Sequence, residues 1–189
     1  MSDLNNSHYT PQQLLPHRAP MLLLDAMLDC GADSAGARVD IRANSPFCDV
    51  ALGGVPAWVG VEYMAQTIGA WAGALRLQHG KEVTVGFLLG ARRYESDCEL
   101  FPLGSELTVR IDVLFSQPEG LGSFACRIDG RAPDGRALSA SARINAFLPE
   151  QPQLFVKDSE ALLVAARDAD AAAAEATRQN HDPRHEEPQ

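Results

Sequence analysis

The order of elements in this sequence predicts an α+β fold in which one long helix is covered by a single curved, mainly antiparallel sheet. Three observations lead there. One long apolar stretch, Ala57 to Leu77, has helix punctuation at both ends, with Pro56 just before its first turn and Gly80 shortly after its last. Around it lie six stretches that alternate or run apolar over strand lengths. No second helix separates the later strands, and without βαβ alternation the pairing has to be mainly antiparallel.

Taken in order, the predicted strands are Met21 to Leu28 and Gly36 to Arg42 before the helix, then Val83 to Leu89, Glu106 to Phe115, Gly122 to Ile128 and Leu138 to Phe147 after it. Breakers separate them: Pro102 with Gly104, Pro118 with Gly120, and Pro133-Asp134-Gly135, a hairpin turn in which Pro fixes one dihedral and Gly supplies another. The helix is apolar around most of its circumference and carries a Gly69/Gly73 pair, so a membrane span is weighed. Glu62 and Gln66 would be costly in lipid, and flanking strands explain the apolarity better. The two glycines are expected to permit close packing against strands or a second copy of the helix. Trp58 and Trp71 are expected in the core or at a dimer contact.

The 189 residues are 46% hydrophobic, too apolar for disorder over most of the length and of a size for one main domain. That domain is expected over residues 14–150, after an N-terminal extension 1–13 and before an Ala-rich, weakly ordered tail 151–189. The net charge of −9, of which residues 151–189 supply −4, argues against nucleic acid as a ligand. Cys30, Cys48, Cys98 and Cys126 form no C-x-x-C pair, and no His pair has metal-ligand spacing on an assigned element, so neither a zinc site nor a disulfide framework is indicated. Nothing near the N-terminus reads as a secretory signal, which makes the cytoplasm the expected compartment.

Glu62 is the most informative position. A carboxylate on a helix this apolar has to be paired, open to a pocket, or protonated. Gln66 stands at i+4, so the amide and the carboxylate project from one face and make a polar notch in an apolar wall. The competing structural reading pairs Glu62 with Arg92 or Arg93, or exposes it at the first turn, where the helix dipole favours an anion. Arg92 and Arg93 form the densest basic pair of the body; they suit docking of an acidic partner, or an ion pair with Glu95 or Asp97.

Four stretches together resemble the 3-hydroxyacyl-acyl carrier protein dehydratases of hot-dog fold, particularly the branch associated with aryl-polyene biosynthesis. They are Leu15-Pro16-His17-Arg18 with Pro20 to Asp25, Asn44 to Phe47, Glu62-Tyr63-Met64-Ala65-Gln66, and Gly104-Ser105-Glu106-Leu107. The resemblance implies a hot-dog domain that converts 3-hydroxyacyl thioesters to trans-2-enoyl thioesters; an acyl carrier protein bearing that substrate is the acidic partner that docking at Arg92 and Arg93 would suit, and nothing in the sequence implies a metal, flavin or nicotinamide cofactor. It places Glu62 in the catalytic role, Gln66 beside it as a supporting hydrogen-bond partner at the substrate, and the backbone amide of Ala57 at the thioester oxygen. Gly54 would let the backbone approach that thioester closely.

The family's loop histidine has no counterpart here: Phe47 to Ala57 reads FCDVALGGVPA. Dehydration needs one group to take the proton beside the carbonyl and another, or the same one again, to assist departure of the hydroxyl. His17, in a matching motif, is the candidate replacement. Its competing reading is a structural histidine ahead of a strand. An oligomer is expected, either of this chain alone or with a histidine-bearing relative. Two further readings follow from the missing histidine: a non-catalytic partner that shapes the tunnel of a true dehydratase, and a thioesterase using one helix carboxylate.

Overall fold

The computed structural model describes residues 9–117 and 120–149. The expected tail 151–189 and the first eight residues of the expected extension lie outside them. A short helix α1 (Pro11–Leu14) is followed by strands β1 (Ala26–Cys30), β2 (Ser34–Asp40) and β3 (Gly54–Pro56). A 3-10 turn (Ala57–Val59) then runs directly into the long helix α2 (Gly60–Gln78). Strands β4 (Phe87–Ser96), β5 (Leu100–Pro102), β6 (Glu106–Ser116), β7 (Leu121–Arg131) and β8 (Ala137–Phe147) complete the chain. Six strands pair in the order β1-β2-β6-β7-β8-β4, every pairing antiparallel, and β3 pairs with β5 apart from them. The sheet curves over α2, which is the arrangement expected of a hot-dog fold.

Alternation drives the three long strands. In β8 the side chains of Leu138, Ala140, Ala142, Ile144 and Ala146 turn inward and are buried; Leu107, Val109 and Ile111 of β6 and Phe124, Cys126 and Ile128 of β7 do the same. Burial pushes the Cys126 thiol up to about 12, which keeps it a neutral core group. The β7–β8 hairpin closes where Pro133-Asp134-Gly135 predicts: Ala132 N–H donates to Arg136 O at 2.9 Å, Asp134 Oδ1 accepts from Arg136 N–H at 2.9 Å, and Gly135 takes φ +86°.

The helix ends one residue beyond its expected limit. Lys81 N–H reaches back to Arg76 O and Gly80 N–H to Leu77 O, at 2.9 and 3.0 Å, with Gly80 in the left-handed region at φ +68°. The close approach at Gly73 is neither to a strand nor to a second copy of the helix. A Cβ there would stand 2.1 Å from Leu14 O, so the glycine admits α1 onto α2. The two tryptophans part company as well. Trp71 is buried, packed edge-on against Phe124 at 5.5 Å with its indole N–H on Ala32 O, whereas Trp58 is 63% exposed and meets Phe47.

Two strands sit away from their expected positions. The apolar run Met21 to Leu24 is buried at Leu23 and Leu24 but precedes β1, because its backbone is held by a side chain of α2 rather than by a neighbouring strand. The strand expected at Val83 to Leu89 lies later, at Phe87–Ser96, and so contains Arg92 and Arg93 instead of preceding them. It is an edge strand, mostly exposed, and its register with β8 shifts twice. The short β3 and β5 carry no period long enough to be read; Gly54 is the contact that allows them, since a Cβ there would fall 2.2 Å from Phe101 O.

Candidate active site

Glu62 lies in the first turn of α2, and Gln66, one turn on, is buried. Every polar atom of the Gln66 amide is engaged. Its Oε1 accepts from Leu23 N–H at 2.9 Å, and its Nε2 donates to Met21 O at 2.8 Å and to Glu62 Oε1 at 2.9 Å. One side chain thus pairs with an irregular strand as another strand would, and at the same time fixes the carboxylate. With both amide hydrogens engaged, Gln66 has no donor left for a substrate. It is a positioning residue.

Glu62 opens into a cavity of about 220 Å3. His17 lines the same cavity, brought there by the chain between α1 and the Met21–Leu24 run. Its Nδ1 is sealed from solvent and has no hydrogen-bond partner among the described residues. A buried ring nitrogen without a partner is costly in a purely structural histidine. Among the described residues the one hydrogen bond to the Glu62 carboxylate comes from Gln66, and no arginine reaches it. The rest of the wall is apolar or small, including Ala65, Gly69, Ile144, Ala146 and Leu148.

The other expected site residues fall elsewhere. Ala57 N–H donates to Glu99 O at 2.9 Å, so it is not the free donor that the resemblance implies for a thioester oxygen. Gly54 N–H is held by Asp49 O at 3.1 Å, and the residue is buried against Phe101. Neither lines the cavity of Glu62. Arg92 and Arg93 border a separate groove with Glu95 and Arg143, where Arg92 and Arg143 are direct partners across β4 and β8. Sequence reasoning missed Arg143, since nothing in the linear order says that β4 lies beside β8. Among the described residues no cluster of three or more His, Cys, Asp or Glu is placed to hold a metal ion, and no helix is long and apolar enough to cross a membrane.

The ApeP-like family, described as ApeP dehydratase, matches residues 9–157. This chain belongs to that family. Among solved structures, the dehydratase heterocomplex ApeI:P from Xenorhabdus doucetiae superposes on this ApeP-like chain with a TM-score of 0.69 at 30% identity, over 78% of this chain and 96% of that one. Among curated relatives, the 3-hydroxyacyl-[acyl-carrier-protein] dehydratase FabZ of Chlamydia trachomatis is 30% identical over 119 residues, 60% of this chain and 76% of that protein. FabZ of Ruegeria sp. strain TM1040 is 29% identical over 141 residues, 72% of this chain and 85% of that protein. The ApeP-like chain is therefore a dehydratase-like protein of hot-dog fold, and the expected family holds.

Proposed function

We propose that this chain removes water from a 3-hydroxyacyl thioester carried by an acyl carrier protein, with Glu62 and His17 as its acid and base. The observation that carries the reading is the cavity they share: the Glu62 carboxylate, held by Gln66, and the His17 ring line the same largely apolar space. One group takes the proton from the carbon next to the thioester carbonyl, the other gives a proton to the departing hydroxyl, and a trans-2-enoyl thioester and one water result. Gln66 leaves Oε2 of Glu62 turned to that work by holding Oε1. His17 here takes over from the loop histidine absent between Phe47 and Ala57.

The protein works as an oligomer, with a histidine-bearing hot-dog relative as the partner that the similar heterocomplex suggests. Leu88 lines the cavity yet is 46% exposed, because it sits on β4, the open edge of the sheet. A second subunit laid along β4 closes that wall and pairs the free edge. Arg92 and Arg93, joined by Arg143, have no ion-pair partner among the described residues, which suits an acidic carrier protein docking on a chain of net charge −9.

The test is intact mass spectrometry of a 3-hydroxyacyl carrier protein incubated with the chain, alone and with a co-expressed relative. Loss of one water is expected. Loss of the whole acyl group would establish a thioesterase instead, and turnover by the relative alone, unchanged on adding this chain, would leave it a non-catalytic partner.

A further inference from the structure

Past Glu62 the cavity runs along α2 in a direction the sheet defines. Tyr94 of β4 donates its hydroxyl to Ala57 O at the helix entrance, and the neighbouring Glu95 is opposite Ser141 of β8. β8 therefore passes the start of α2 near Ser141 and proceeds along it towards Leu148. On the helix side the wall is Ala65 and then Gly69, one and two turns beyond Glu62. On the sheet side it is Ile144, Ala146 and Leu148, alternate positions that face one way. The passage is bounded midway by a methyl group and a glycine, and at its far end by the larger Leu148. That side chain leans over Gly86, where a Cβ would stand 2.4 Å from Leu148 Cδ2.

We propose that Ala146 and Leu148 select the length of the acyl chain: Ala146 leaves the passage open beyond Glu62, and Leu148 stands across its end. This rests on the reading that the cavity of Glu62 receives the acyl thioester. Ala146 is 6% exposed and borders empty volume, so a larger side chain there fills the passage rather than displacing the core. Removing Leu148 deepens the passage in the same line.

The test measures binding and turnover of a series of 3-hydroxyacyl pantetheine thioesters, short to long, by the full chain and by Ala146→Leu and Leu148→Ala, with thermal melting as the control for folding. Ala146→Leu is expected to keep the short members and to lose at least about tenfold in affinity for the long ones, since each methylene refused by an apolar pocket is worth roughly 10- to 200-fold. Leu148→Ala is expected to shift preference to longer chains. Equal effects at every length in both folded variants would overturn the proposal. Length-dependent binding with no enoyl product from any thioester would sustain it while removing the dehydratase reading.

Discussion

Glu62 owes its position to Gln66, and Gln66 owes its own to the backbone of Met21 and Leu23. These three links bind the polar centre of the cavity to a segment with no sheet neighbour of its own. Gln66→Leu removes them together, leaving Leu23 N–H and Met21 O without partners. Each buried group so orphaned costs about 1–3 kcal/mol. The expected result is a fall in thermal stability together with a fall in kcat; Gln66→Glu, which can still accept from Leu23 N–H, is expected to recover part of the stability but not the rate. Glu62 and Gln66 were legible in the sequence because two polar groups one turn apart interrupt an apolar helix. The full engagement of Gln66 was not legible, because its partners lie more than forty residues earlier and offer only backbone. The amide of Ala57 was misread for a similar reason: a helix start suggests free N–H groups, while the carbonyl of Glu99 that takes this one arrives from a loop forty residues on.

At the scale of elements, α2 and the β6–β7–β8 meander follow from periodicity and turn chemistry, and they stand within a few residues of their expected bounds. Strand β4 does not, since an exposed edge with two register shifts has little alternation to read. Tyr94 anchors it inward, half-buried and bonded to Ala57 O, and burial pushes its hydroxyl up to about 12 from the ordinary 10.0. A pKa raised on folding means that the folded chain holds the proton more tightly than the unfolded one. The stabilisation is thus complete below pH 10.0 and is lost as pH rises towards about 12. Tyr94→Phe is expected to lower stability by about 1 kcal/mol at neutral pH and to flatten the alkaline limb of the stability curve, read by denaturant unfolding between neutral and high pH. An unchanged alkaline limb would show that Tyr94 is not the group responsible.

For the whole molecule, the open edge at β4 carries the cavity wall at Leu88, so the proposed assembly along that edge would complete the site. Replacing Leu88 with Lys places a charge where a second sheet would pair. Light scattering is expected to report dissociation to monomers, with loss of turnover and little change in the melting of the isolated chain. The resemblance to hot-dog proteins carries the expectation of an oligomer but not of where a partner would sit, because the edge position of β4 arises only when β8 pairs beside it. The most direct test of the central claim is made on that assembled form: the rate of water loss from a 3-hydroxyacyl carrier protein by the wild type, Glu62→Gln, His17→Gln and the double variant. Each single change is expected to reduce the rate by roughly a hundred- to ten-thousand-fold, with the double variant about as slow as the slower single, as for two groups acting as a unit. A folded His17→Gln protein that keeps the wild-type rate would contradict the pairing, and the same result for Glu62→Gln would remove the cavity from catalysis.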